Sequence, residues 1–209
     1  MVFDIKHSMP LAARILKEEL GVLGMLHCFL CFGWRKLWQK PFAQLERQKP
    51  LAKAEVLTRH QLEPVILLDA VLSLDLNQPK ERTRNILKRV VSESGALFIQ
   101  FAVKNPNPNE WHQKSLAAKN EFAHKGLEQF FNADAKVINV PGSDFAFDVS
   151  ACYFVSLARE LNRADLAPLF CSADEALFNR PELKVSMTRE ETLAQGHERC
   201  AFRFQWDET

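Results

Sequence analysis

Apolar residues recur every three or four positions through most of residues 1–132, and every second position through much of the rest. Leu16, Leu20, Leu23 and Leu26 repeat at helical spacing, which predicts one or two helices over residues 11–45, with a bend at Gly33. Leu62, Val65, Ile66, Leu68, Val71 and Leu72 form a second stripe within residues 56–76. Pro64 lacks an N–H and crowds the preceding turn, so that helix is expected to start near it. Pro79 suits the first turn of a third helix, which carries Ile86, Leu87, Val90, Val91, Leu97, Phe98 and Phe101, with Gly95 as a weak point. Asn105-Pro106-Asn107-Pro108-Asn109 reads as a loop, and a fourth helix is expected over residues 110–131.

Past Asn132 the period changes from 3.6 to 2. Val137 to Val140 reads as a strand ending at the turn pair Pro141-Gly142. Phe145, Phe147 and Val149 alternate with Ala146 and Asp148, the signature of a half-buried strand. Ser150 is a good cap for a helix reaching Leu161, and a short helical piece follows over residues 166–178. Leu183, Val185 and Met187 alternate again. Cys200, Phe202, Phe204 and Trp206 form a last strand, with Gly196 in the loop between these two. The expected fold class is α+β: N-terminal helices (residues 1–132) packed on a C-terminal antiparallel sheet with a helical insertion (residues 133–209), as one compact unit.

The formal net charge of +1 leaves no electrostatic case for a nucleic-acid partner. Sixteen Phe against one Tyr point to a core or pocket built from phenylalanine. The first ten residues hold no apolar leader, and five cysteines are an odd number, so free thiols in a reducing, cytoplasmic setting are expected. Residues 21–34 form the longest apolar run, too short for a membrane span. A helix that is apolar all round needs burial all round, which its own fold or a homo-oligomer contact would supply.

No phosphate-binding glycine loop, dinucleotide fingerprint, serine-hydrolase elbow or zinc-protease motif occurs. Cys28 and Cys31 form a C-x-x-C inside the apolar run, where plain burial is expected. The remaining chemistry lies near the C-terminus. Cys171 and Asp174 are three residues apart and share a helical face, which puts a thiol and a carboxylate within reach of one ligand. Asp174 and Ser172 are equally good caps for a following helix. Cys152 stands near a helix start, where thiolate is favoured, yet a free cysteine is also a common small core residue. Cys200 shares the strand face of Phe202 and Phe204, while Arg203 points to the other face. A small-molecule pocket is expected between Cys152, the Cys171–Asp174 turn and the Gly196 loop, floored by Phe202 and Phe204 and roofed by the N-terminal helices. No cofactor is required. The alternative is a soft divalent metal held by Cys152, Cys171, Asp174 and Cys200 in a binding module without catalysis.

Four segments carry a resemblance: Phe147-Asp148-Val149-Ser150-Ala151-Cys152-Tyr153, Leu169-Phe170-Cys171-Ser172-Ala173-Asp174, Glu191-Thr192-Leu193-Ala194-Gln195-Gly196, and Cys200-Ala201-Phe202-Arg203-Phe204. They resemble the L-2-amino-thiazoline-4-carboxylic acid hydrolase family. The same pattern also looks like four-vinyl-reductase-type small-molecule-binding domains. Where the family usually has an acidic residue after the last cysteine, this chain has Ala201. The resemblance implies hydrolytic opening of a cyclic 2-amino-thiazoline acid to an N-carbamoyl cysteine. On that reading Cys171, Asp174 and Cys152 are the candidate catalytic residues, with Asp174 as base or as partner of the substrate's amidinium. Arg189, Thr192, Gly196, Cys200 and Arg203 are the candidate substrate-binding residues, either arginine being suited to the carboxylate.

Overall fold

The computed structural model describes residues 7–45, 51–103 and 113–206. Among these residues, six α-helices and four strands follow in the order α1 (Met9–Trp38), α2 (Lys53–Ala70), α3 (Lys80–Val103), α4 (Leu116–Leu127), β1 (Ala133–Ile138), β2 (Phe145–Cys152), α5 (Tyr153–Glu160), α6 (Ala167–Phe178), β3 (Val185–Thr188) and β4 (Cys200–Trp206). The sheet is antiparallel throughout, in the order β1-β2-β4-β3. Helices α5 and α6 are the insertion between its two central strands. This is the α+β arrangement that the change of period predicts. No helix among the described residues is long and apolar enough to cross a membrane.

The helices close around Ile15, Leu16, Val71, Leu72, Ile86, Leu87, Leu166 and Leu169. The sheet contributes a second cluster on one face, where Phe145 is opposite Phe204, Phe147 opposite Phe202 and Val149 opposite Cys200. The Phe147 and Phe202 rings stack with centroids 4.5 Å apart. Alternation sends Asp148 and Arg203 to the other face, where they pair at 2.9 Å. Helix α3 packs closely on α6, so the helical part and the sheet part meet through these two helices.

Several local expectations are corrected. Helix α2 begins at Lys53 and runs through Pro64. Leu62, Val65, Leu67 and Leu68 are buried on either side of the proline, and that burial offsets the one missing backbone bond. A single π-helical turn, Val71–Asp75, follows it. The bend in α1 falls at Gly21 (φ 73°, ψ 175°) rather than Gly33, because only a glycine takes that backbone conformation without strain. Strand β1 starts at Ala133, ahead of the expected Val137, because alanines on its inner face are weak strand formers that pairing with β2 holds in register. Ser150 caps no helix: β2 continues to Cys152, and the Ser150 hydroxyl donates to the Asp134 carbonyl at 3.4 Å. Leu183 lies in a 3₁₀ turn ahead of β3. The expected 105–109 loop lies outside the described residues, as does the start of the 110–131 helix.

Helix α1 settles the question posed by its apolar run in an unexpected way. One face (Met25, Cys28, Phe29, Phe32) packs on the core. The opposite face is open, with Leu23 82%, Leu30 74% and Leu37 71% exposed. Cys28 is buried and its thiol is pushed up to about 11, chiefly by that burial.

Candidate functional site

A cavity of about 710 Å³ lies between helices α1, α2 and α3 on one side and the β2–α5 junction, α6 and β4 on the other. The second wall brings together Cys152, Cys171, Asp174, Arg189, Cys200 and Phe202. Each arrives there for a local reason. Cys152 ends β2 and is the residue from which α5 starts. Cys171 and Asp174 are one turn apart inside α6, which begins at Ala167 with a proline in its first turn. Neither Ser172 nor Asp174 therefore caps a helix. Cys200 opens β4 on its inner face, and Arg189 directly follows β3.

Arg189 is the organising residue. Its side chain is 2% exposed. Nη1 donates to Asp174 Oδ2 at 2.6 Å, and Nη2 donates to the Cys171 carbonyl at 2.8 Å and to Glu175 Oε1 at 3.2 Å. The guanidinium lies over the Phe202 ring, 4.8 Å from its centroid, a cation–π contact. Nε is buried without a protein partner. A buried guanidinium N–H with no acceptor is costly.

The electrostatics of this wall follow from burial. Asp174 is buried, and desolvation pushes its carboxyl above the ordinary range against the pull of Arg189. The Cys171 thiol is pushed up to about 12 by burial, with Arg189 only partly opposing. Cys152 has the N–H groups of Val155 and Phe154 drawing its pKa down, as a helix start should, yet burial outweighs them and the thiol is raised. Cys200 is likewise raised by burial, although the Leu193 N–H donates to its sulfur at 3.2 Å. All five cysteines are unpaired. At neutral pH these thiols are protonated, and the ionisable pair of the wall is Arg189 and Asp174, with Glu175 hydrogen-bonded to Arg189 at its edge. Alkylation of Cys171 by iodoacetamide, mapped by mass spectrometry, is accordingly expected to be slow at pH 7 and to keep accelerating beyond pH 10. A plateau by pH 8 would contradict this environment.

Three expected ligand contacts lie elsewhere. Thr192 caps a 3₁₀ turn, its oxygen accepting from the Gln195 N–H at 3.2 Å. Gly196 ends that turn at φ 96°, a conformation glycine takes without strain, and does not line the cavity. Arg203 is on the outer sheet face, donating to the Phe147 and Phe202 carbonyls and pairing with Asp148. Phe204 packs in the sheet cluster and is not part of the cavity floor. Among the described residues no three His, Cys, Asp or Glu side chains are grouped as a metal ion requires, so Cys152, Cys171, Asp174 and Cys200 share a wall without forming a ligand set.

The sequence did not single out the phenylalanines that line the rest of the cavity. Phe29 and Phe32 of α1, Phe98 of α3, Phe130, and the stacked pair Phe154–Phe170 (centroids 4.0 Å apart) all line it. The one signal for them was the excess of phenylalanine. Gly95 was also misread as a weak point. A Cβ built there would lie 2.5 Å from the Cβ of Ala173, so glycine is what lets α3 approach α6.

The fold is α+β, and a buried acid–arginine pair stands in the wall of a largely apolar cavity. In the comparison with known families, the L-2-amino-thiazoline-4-carboxylic acid hydrolase family matches residues 65–204. The chain belongs to that family, whose name is that of a hydrolase. No curated protein and no solved structure matches it.

Proposed function

We propose that the chain hydrolyses a cyclic 2-amino-thiazoline-4-carboxylate, or a close analogue, in the cavity walled by Arg189 and Asp174. The observation that carries this reading is the buried Arg189–Asp174 pair with its unsatisfied Nε. A 2-amino-thiazoline acid is a zwitterion of carboxylate and amidinium, and the pair offers each of them its opposite charge. The substrate carboxylate takes the Nε–H of Arg189, and the amidinium takes the Asp174 carboxylate. Water then adds to the ring carbon between nitrogen and sulfur, giving its proton to Asp174. The carbon–sulfur bond breaks, sulfur leaves as a thiol after protonation, and the carbon becomes the carbonyl of an N-carbamoyl cysteine. Positioned general-base help of this kind is worth about 100- to 10,000-fold.

The raised thiols favour water over a cysteine as the nucleophile. A Cys171 pushed up to about 12 holds almost no thiolate at neutral pH. The reading therefore predicts that Cys171→Ala retains turnover within about tenfold of the parent, since one factor of ten corresponds to about 1.4 kcal/mol of lost packing or positioning. Free thiol released from the thiazoline acid, followed with a colorimetric thiol reagent, measures it. No thiol release by the parent protein overturns the proposal. The unpaired cysteines suit a reducing, cytoplasmic setting.

A further inference from the structure

The geometry points to an amphipathic substrate: a carboxylate-bearing polar head at Arg189 and Asp174, joined to a long apolar portion lying along the phenylalanine-rich wall. This inference rests on the assignment of the Arg189–Asp174 wall as the polar end. A cavity of about 710 Å³ is of the size that encloses drug-sized ligands, typically about 300–1,000 Å³. A bare five-membered ring acid would leave most of it empty. Much of the remaining surface is apolar and comes from elements that take no part in the chemistry: Ala12, Phe29 and Phe32 of α1, Val65 of α2, and Phe98 and Ala102 of α3, with Lys36, His60 and Glu63 also on the helical side. Protein interiors seldom leave apolar voids of this size unfilled. Lys36 is exposed and Glu63 half-buried on the α1–α2 side, whereas Arg189 and Asp174 form a buried charged pair in the opposite wall, with an arginine nitrogen as its unsatisfied donor, so the anionic group of the ligand is placed at that end.

Calorimetric titration of the full chain with straight-chain alkanoates from hexanoate to tetradecanoate tests this without requiring turnover. Affinity is expected to rise about fourfold per added methylene until the cavity is full. Decanol is expected to bind at least tenfold more weakly than decanoate, because it lacks the charge. Ala102→Trp and, separately, Ala12→Phe fill the apolar end. Each is expected to weaken the longest alkanoate at least tenfold while leaving hexanoate unchanged. Affinity independent of chain length, or length dependence unchanged in both variants, would overturn the inference. Equal binding of decanol and decanoate would overturn the placement of the head at Arg189. Length-dependent binding without thiol release from any thiazoline acid would overturn the hydrolase reading alone. Turnover of the bare ring acid with no alkanoate binding would overturn this inference alone.

A separate observation concerns the open face of α1. We infer that it pairs with the same face of a second copy, antiparallel, about a two-fold axis at Leu30. Val22, Leu23, Leu26, Leu30, Trp34, Leu37 and Trp38 are all exposed, and no charged residue interrupts them between residues 20 and 34. They offer on the order of 800 Å², the share that one partner gives to a standard stable interface. The face is centred on Leu30, so the two-fold sets Leu23 against Leu37 and Leu26 against Trp34, an apolar match along its whole length. A cleft of about 520 Å³ lined by His27, Leu30, Cys31, Trp34, Trp38 and the Arg35–Asp75 pair receives the partner's Val22 and Leu26. Sedimentation of the full chain at micromolar concentration is expected to give a dimer, and the exposed-site variant Leu23→Glu/Leu30→Glu a folded monomer. A Leu30→Cys protein is expected to form an intermolecular disulfide under mild oxidation beyond that of the parent. A monomeric parent, including one that floats with phospholipid vesicles instead, would overturn the pairing.

Discussion

Arg189→Met is expected to lower stability by about 3–5 kcal/mol, because it leaves a buried carboxylate without its counter-charge. Arg189 is 2% exposed and the Asp174 side chain 12%, so solvent does little to screen the loss. The pH dependence follows from the direction of the Asp174 shift. Its folded pKa is above that of an unfolded aspartate (about 3.9), so its contribution is fully present below that pH and is lost as pH rises toward the folded value. Without Arg189 the shift grows, and the variant is expected to be most stable in acid and to weaken toward neutrality. The double variant Arg189→Met/Asp174→Leu removes both charges at similar volume. Its stability is expected to return to the parent's level or above it, since apolar replacement of a buried pair is often neutral or stabilising. Urea melts of the three proteins between pH 4 and 8 measure this. A double variant as unstable as the single one would mean that the pair is retained for folding rather than for a ligand.

The second large effect is expected at Gly95. An alanine there sets two Cβ atoms 2.5 Å apart, and the neighbour is Ala173, with no flexible tip to move aside. Helix α6 must shift away from α3, taking Cys171 and Asp174 with it. Overpacking of this kind costs about 1–3 kcal/mol. A displacement near 1 Å of a reacting group costs on the order of 100-fold in rate. Gly95→Ala is thus expected to remain folded by circular dichroism while thiol release falls about 100-fold. Gly33→Ala, on an open helix surface with nothing within 4 Å, is the control and is expected to leave the rate unchanged.

Much of the fold could be read from periodicity, because burial on one face imposes a period that side chains must obey. The strands bearing Phe145, Phe147, Phe202 and Phe204, and the helix over residues 167–178, follow from this alone. What escaped had tertiary causes. Pro64 stays inside α2 because both flanks are buried, and β1 opens with Ala133 and Ala135 on its inner face, which pairing with its partner strand holds in place. The same division applies to the site. Cys171 and Asp174 share a helix face by spacing, and Cys152 and Cys200 each start or end a strand, so their approach to one cavity follows from topology. Arg203 could be rejected on strand alternation, and the structure places it on the outer face with Asp148. Arg189 was a candidate for the substrate carboxylate, but its pairing with Asp174 was not visible, because a residue just beyond a strand carries no period, and this partner comes from a helix fifteen positions back.

On the proposed mechanism Asp174, paired with Arg189 in the cavity wall, drives ring opening by water. The most direct measurement compares kcat/KM for thiol release from 2-amino-thiazoline-4-carboxylate by the parent, by Asp174→Asn and by the folded Arg189→Met/Asp174→Leu protein. A fall of about 100- to 10,000-fold in Asp174→Asn, and no detectable turnover in the double variant, is the predicted result. Equal rates in the parent and either variant would contradict it.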